Sequence, residues 1–172
     1  MSVEATTAII EHLGRQRQAM VNLLADLVNI DSGSYNKRGV DAVGDRLQAW
    51  LEAVGISCEI FPNQIFGDCM AARIPGTGGG NRPIVLMGHR DTVFPDGTAA
   101  QRPFRIDGDE AFGLGIVDTK AGLVMNTFVL EALRPESKDG QEISSDDEPA
   151  GIVDFRAVFV CCWARVRCCW AI

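Results

Sequence analysis

Three stretches of the sequence carry apolar residues at the spacing of a single helix face. The pattern predicts amphipathic helices at 4–29, 39–54 and 119–133. Gly55 follows the second helix where a glycine commonly ends one, because glycine tolerates a left-handed backbone. Pro135 should end the third helix, because proline has no backbone N–H with which to continue the hydrogen bonding.

Short apolar runs between these helices predict three strands, at 56–61, 69–74 and 83–88. The third contains Ile84–Met87, a continuous apolar run that is typical of a strand buried on both faces. The long segment 92–117 predicts a loop, and loops of this length are usually functional or disordered. Helices that alternate with strands indicate an α/β fold in which the helices pack on the faces of a sheet.

The character of the sequence changes after Pro135. Residues 136–148 hold six acidic residues and one lysine, and an apolar run follows at 152–163. We expect 1–135 to be the folded part and 136–172 an atypical tail that is either disordered or the product of a reading-frame shift. Four of the six cysteines crowd the end of this tail, but they lack the spacing of a usual zinc knuckle.

Composition and charge exclude several classes of partner. The chain of 172 residues has a formal net charge of −7. Such an acidic chain without a basic cluster is a poor candidate for nucleic acid or for an anionic membrane. No apolar stretch is long enough to span a membrane, and the first thirty residues lack the order of a signal peptide. The cytoplasm is therefore the expected location.

A histidine and an aspartate two positions apart follow the third predicted strand. Alternation along a strand lets His89 and Asp91 face the same crevice at the strand's carboxyl end. A neutral imidazole is a good zinc ligand, and a nearby carboxylate can fix its tautomer, tune its basicity or act on a reacting water. By itself, a His-x-Asp pair is more often an ordinary histidine at the end of a strand.

A glycine-containing segment, Gly113–Lys120, precedes the third predicted helix. Its two glycines let the backbone fold closely around a site, and Asp118 falls at the mouth of the helix. There Asp118 could act as a ligand or simply cap the helix. The Gly-x-Gly pattern does not predict a nucleotide site, because the third glycine is absent and no predicted strand directly precedes it.

Taken together, the two segments resemble a known family. GHRDTVFP at 88–95 and GLGIVDTKAG at 113–122 are similar to the zinc-dependent amidohydrolases that include glutamate carboxypeptidase, acetylornithine deacetylase, succinyl-diaminopimelate desuccinylase and aminoacylase. The likeness covers about residues 10–134 and is nearest to the bacterial glutamate carboxypeptidases. It implies an incomplete α/β/α sandwich, the N-terminal part of a zinc-peptidase catalytic domain. Members of the family often form homodimers, but the resemblance stops before the part that would be the dimerisation domain, so we expect this sequence to lack it.

The resemblance also implies a role for each candidate residue. His89 would bind one zinc ion, Asp118 would bridge two, and Asp91 would be the acidic residue that assists catalysis beside His89. In such two-metal sites the ions, zinc or in its place cobalt, polarise the scissile carbonyl and activate water. The substrate would be a small peptide or an N-acyl amino acid, and the favoured reaction would release a C-terminal glutamate.

The acidic residues that complete such a site in the family are missing from their expected place. Asp146–Glu148 lie 28–30 positions beyond Asp118, but no apolar strand precedes them, and they fit a solvated acidic run better. His12, the other histidine, fits a surface position on the first helix. Three functions stay open: a metallo-carboxypeptidase or deacylase, a truncated non-catalytic fragment that binds metal weakly or not at all, and an interaction module that uses the Cys/Trp tail.

Overall fold

The computed structural model describes residues 3–74, 84–134 and 155–159. The helices are α1 (Val3–Arg15), α2 (Arg17–Val28), α3 (Lys37–Ala53), α4 (Thr98–Gln101) and α5 (Ala121–Leu133). The strands are β1 (Cys58–Phe61), β2 (Cys69–Ile74), β3 (Ile84–Gly88), β4 (Arg105–Asp107), β5 (Glu110–Phe112) and β6 (Phe155–Phe159). A π-helical turn at Ile116–Lys120 directly precedes α5. In these ranges no helix is both long enough and apolar enough to cross a membrane.

Helix α3 forms close to the predicted span. The Asn36 side chain caps its first turn by accepting a hydrogen bond from the Gly39 N–H at 2.9 Å. The helix ends at Ala53, and Gly55 takes a left-handed φ of 76° just beyond it. This position therefore confirms the predicted stop, since a side chain on residue 55 would strain the backbone.

The predicted helix 4–29 is two helices, so the single span is wrong at Gln16. The backbone there has φ −87° and ψ 1°, which separates α1 from α2. Gly14 weakens the helix nearby, and the Gln16 side chain donates a hydrogen bond to Glu131 of α5 at 3.2 Å. Apolar residues keep their period on both sides of the break, which is why the pattern does not reveal it.

Four strands form a mixed sheet in the order β1-β2-β6-β3. β1 and β2 are antiparallel, whereas β6 runs antiparallel to β2 and parallel to β3. At one end of β6, Phe155 pairs with Ile74 and Ile84, and at the other Phe159 pairs with Met70 and Gly88. Helices packed on a mixed sheet confirm the α/β class.

Strand β6 lies inside the segment 136–172, where the sequence predicted no strand. Its residues belong to the apolar run 152–163, in which Asp154 and Arg156 obscure the alternation of a half-buried strand. The neighbouring strands supply hydrogen-bonding partners on both of its edges. The rest of the tail, with Glu148 and the four terminal cysteines, lies outside the described residues, so its disorder or frame-shifted origin stays a prediction.

The hydrophobic core lies between the helices and one face of the sheet. Strand β2 contributes Met70, Ala72 and Ile74, whose side chains alternate toward the helices. The helices contribute the larger share, which includes Leu23, Leu27, Val43, Leu47, Leu51, Leu123, Val124, Phe128 and Leu130. On β3, a Cβ at Gly88 would lie 2.7 Å from Leu123 Cδ2, so this glycine allows α5 to approach the end of the strand closely.

The prediction that Ile84–Met87 is buried on both faces is wrong. Leu86 packs against the core, but Val85 and Met87 point to the opposite face and are 46% and 68% exposed. Strand β3 is also an edge strand of the described sheet. An apolar run shows that a strand suits a buried position, but it does not show what covers the strand.

The segment 92–117 is more ordered than the predicted loop. It contains the short helix α4 and a hairpin of β4 and β5, in which Asp107 pairs with Glu110. Gly108, inside the two-residue turn, has φ 60°, a value that suits tight hairpin turns. The segment starts at the end of β3 and leads into the π-helical turn, so it connects the two motifs singled out in the sequence.

Candidate metal centre

His89 follows the last residue of β3, and both nitrogens of its ring have acidic partners. Nδ1 lies 3.1 Å from Asp91 Oδ1 and 3.0 Å from the Asp91 carbonyl oxygen. Nε2 lies 2.9 Å from Asp118 Oδ1. The structure therefore brings together the three residues that the sequence selected from two separate motifs.

Asp118 lies in the π-helical turn and does not cap α5. Its φ of −129° and ψ of 88° are non-helical, and no side chain caps the helix that follows. The carboxylate is 81% exposed and points toward His89. Thr119 fixes the same turn to β3, because its hydroxyl accepts from the His89 N–H at 3.2 Å and donates to the His89 carbonyl at 3.0 Å. The peptide bond between Asp118 and Thr119 is cis.

Asp91 is almost fully buried, and both of its carboxylate oxygens have partners. Oδ1 faces His89, and Oδ2 accepts a hydrogen bond from Ser34 Oγ at 2.5 Å. Two backbone hydrogen bonds hold the Ser34 loop in place: Thr92 N–H to Ser32 O at 2.7 Å and Ser34 N–H to Thr92 O at 3.1 Å. The sequence analysis did not identify Ser34 as a partner of Asp91, because 57 positions separate the two residues.

Arg90 anchors the turn between His89 and Asp91 from behind. Its side chain is 2% exposed and lies against α3. A Cβ added at Gly44 would lie only 1.5 Å from Arg90 Nη1, so that glycine leaves the space that the guanidinium occupies. The buried arginine therefore couples the position of α3 to the turn that carries the candidate ligand.

Lys120 anchors the π-helical turn to the end of α2. Its fully buried ammonium group donates to the Leu27 carbonyl at 2.8 Å and to the Ile30 carbonyl at 3.0 Å. Burial lowers the pKa of Lys120 to about 8, although Asp31 opposes this effect. The lysine satisfies backbone acceptors near a helix end, where carbonyl groups otherwise lack partners.

The contacts within the centre shift the pKa values of two of its members. The hydrogen bond to Asp91 is the main reason that the pKa of His89 is raised to about 9; burial opposes the shift, and Asp118 adds to it. Burial alone would raise the pKa of Asp91, but hydrogen bonds from His89 and Ser34 lower it below its ordinary value. Asp91 is thus held as a carboxylate beside the imidazole.

A pocket of about 700 Å³ opens beside these residues. His89, Asp91 and Asp118 line it together with Phe94, Arg102 and Phe112. A neighbouring pocket of about 520 Å³ shares Ser34, Thr92, Val93 and Phe94 with it. Most of the lining comes from the segment 92–117. His12 is elsewhere, on α1 at 3.9 Å from Glu131.

Comparison with known proteins relates the chain to a peptidase family. It is 36% identical over 121 residues to carboxypeptidase G2 of Pseudomonas sp. (strain RS-16), covering 69% of this chain and 28% of that protein. It is 30% identical over 122 residues to an M20-peptidase-domain protein of Schizosaccharomyces pombe, covering 69% and 28%. The chain belongs to the M20 metallopeptidase family. No protein-family model matches the sequence.

The fold agrees with M20 membership. An M20 family metallo-carboxypeptidase of Sulfolobus solfataricus superimposes with a TM-score of 0.57 at 15% identity, covering 81% of this chain and 30% of that one. The chain thus spans less than a third of the length of each of these three proteins. The partial coverage fits the predicted N-terminal part of an M20 catalytic domain.

Membership of the M20 family implies a metal cofactor, and the residues present fit part of a metal site. Two ligands of a tetrahedral zinc ion lie about 3.3 Å apart, close to the 2.9 Å between His89 Nε2 and Asp118 Oδ1. Within the described residues, however, no group of three or more His, Cys, Asp or Glu side chains is arranged to hold an ion. The ligand roles of His89 and Asp118 therefore stay predictions.

Proposed function

We propose that this chain carries part of the active site of a zinc-dependent metallo-carboxypeptidase or deacylase that hydrolyses an amide bond. The observation that supports the proposal is the pair of contacts on His89: Nδ1 faces the Asp91 carboxylate, and Nε2 lies 2.9 Å from Asp118. A metal-binding imidazole ordinarily donates its other N–H to a carboxylate or carbonyl. That partner fixes the ring and makes the nitrogen that faces the ion more basic.

Each residue then has a defined task in the proposed site. His89 and Asp118 hold the metal, and Asp91 keeps the imidazole in one tautomer and orientation. Ser34 holds the second oxygen of Asp91. When bound, zinc would polarise the scissile carbonyl and lower the pKa of water. A small peptide or N-acyl amino acid as substrate, release of a C-terminal glutamate and a cytoplasmic location are parts of the same proposal.

A second candidate is a non-catalytic chain that binds metal weakly. This candidate is supported by the small number of ligands. Catalytic zinc sites ordinarily have three protein ligands, and the described residues contain no group of three His, Cys, Asp or Glu side chains that could hold an ion. On this alternative, His89 and Asp118 form a charged pair at the surface of the pocket. The two candidates differ in whether zinc gives the chain any hydrolytic activity.

A hydrolysis assay separates the two candidates. N-acyl-glutamate substrates are incubated with added zinc and the wild-type chain, His89→Ala or His12→Ala. His12 is a matched control, because it is the only other histidine and lies outside the pocket. Hydrolysis above background that is lost in His89→Ala and kept in His12→Ala supports the hydrolase. Equal rates in all three proteins, none above background, support the non-catalytic chain.

A further inference from the structure

The pocket beside the candidate metal centre is also lined by a cationic side chain. His89, Asp91 and Asp118 line one part of it, and Arg102 contributes the only lysine or arginine among its described lining residues. Apolar residues, among them Phe112, also line the pocket. A ligand in this pocket therefore meets the candidate metal-binding pair, apolar side chains and a guanidinium.

Arg102 lies beside the pocket as an exposed cation. The residue follows α4, where its backbone N–H donates to the Thr98 carbonyl at 2.9 Å. Its guanidinium lies 6.0 Å from the centre of the Phe94 ring, which also lines the pocket. Within the described part of the chain, no carboxylate lies within ion-pair distance of it. By contrast, Arg46 and Arg73 pair with Asp26 and Glu59.

We propose that Arg102 binds a free carboxylate of the substrate while the scissile amide lies at His89 and Asp118. The inference rests on the proposed function and adds the residue that would recognise the free carboxylate of such a peptide or N-acyl amino acid. A guanidinium can bind both carboxylate oxygens at once and stays charged at every physiological pH. A pocket of about 700 Å³ is of the size that accepts small ligands.

The expected effect is specific to charge. Removal of Arg102 should weaken ligands that carry the recognised carboxylate and leave their amide analogues unchanged. The guanidinium is exposed, so solvent screens it, and we expect a weakening of about tenfold rather than the larger losses of fully buried pairs. A lysine at this position keeps the charge but loses the two-point contact, so it should restore binding only in part.

Isothermal titration calorimetry with the full chain and saturating zinc tests this inference. The three probes are N-acetylglutamate, N-acetylglutamine, which lacks the side-chain carboxylate, and N-acetylisoglutamine, which lacks the α-carboxylate. Each is titrated into the wild type, Arg102→Ala, Arg102→Lys and Arg17→Ala. Arg17 is the matched control, because it is an exposed arginine at the start of α2 and does not line the pocket.

The inference predicts that Arg102→Ala loses about tenfold in affinity for N-acetylglutamate and for only one of the two amide probes. The amide probe whose affinity is unaffected lacks the carboxylate that Arg102 recognises, and so identifies it. Equal affinities of the wild type and Arg102→Ala for all three probes would overturn the inference, and so would a wild type that binds none of them. Charge-dependent binding without hydrolysis would instead overturn the proposed function and leave this inference intact.

Discussion

At the scale of single residues, one part of the site follows from local sequence and another does not. Strand alternation predicted that His89 and Asp91 face the same side, and the structure brings them within hydrogen-bonding distance, although both lie beyond the end of β3. Asp118 came from the glycine-containing motif, and it also reaches His89. Ser34 could not be found in this way, because its bond to Asp91 depends on the pairing of two loops that are distant in sequence.

The raised pKa of His89 predicts how stability depends on pH. Its ordinary value is 6.5, and in the folded, metal-free chain it is about 9, mainly because of Asp91. The folded state therefore holds the proton more tightly, so the stabilisation is complete below pH 6.5 and is lost as the pH rises through 9. As the pH rises from 6.5 to 9, we expect the loss of this stabilisation to lower the free energy of unfolding by about 1–2 kcal/mol, a value that allows for solvent screening of His89.

Urea unfolding with a chelator present, at pH 6, 7, 8 and 9, measures this contribution as the difference between the wild type and His89→Asn. Lys120 also titrates near pH 8, but it is common to both proteins, so its effect cancels in the difference. The stability advantage of the wild type should shrink as the pH rises, and His12→Ala should behave like the wild type. A difference that stays constant across this range would show that the imidazole gains no proton affinity on folding.

At the scale of elements, the sequence predicts helices better than it predicts their neighbours. The period of apolar residues located α3 and α5, and Gly55 marked the end of α3. The same period continued through Gln16 and concealed the break between α1 and α2. Strand β6 was missed because its place depends on two partner strands that are distant in sequence. Local patterns report which face of an element is apolar, not which element will cover it.

Two glycines on helices should respond to alanine in opposite directions. A Cβ added at Gly44 of α3 would lie 1.5 Å from Nη1 of the buried Arg90. A Cβ added at Gly14 of α1 would meet open space. Gly44→Ala should lower the free energy of unfolding by about 1–3 kcal/mol, because the buried Arg90 guanidinium would have to shift to make room for the added methyl group. Gly14→Ala should raise it by up to about 1 kcal/mol through helix propensity. Equal effects in urea unfolding would show that Arg90 does not constrain α3.

At the scale of the whole molecule, the helices cover one face of the sheet, and at the edge strand β3 the opposite face is exposed. The helices bury Met70, Ala72 and Ile74 of β2, while Val85 and Met87 of β3 stay exposed on the other side. Clusters of exposed apolar side chains favour association between molecules. The sequence indicated an incomplete sandwich, but it could not show that β3 would carry exposed residues, because Ile84–Met87 had the apolar character of a strand buried on both faces.

Two methionines on opposite faces of the sheet test this asymmetry. Met87 is 68% exposed and Met70 is fully buried. Threonine suits a strand, so Met87→Thr should reduce the binding of an apolar fluorescent dye and slow aggregation, with little change in the urea midpoint. Met70→Thr should lower the free energy of unfolding by about 2–4 kcal/mol, since it leaves a cavity and buries a hydroxyl. If Met87→Thr destabilised the chain as much as Met70→Thr, the outer face of β3 would have to be covered in solution, by a part of the chain beyond the described residues or by a second molecule.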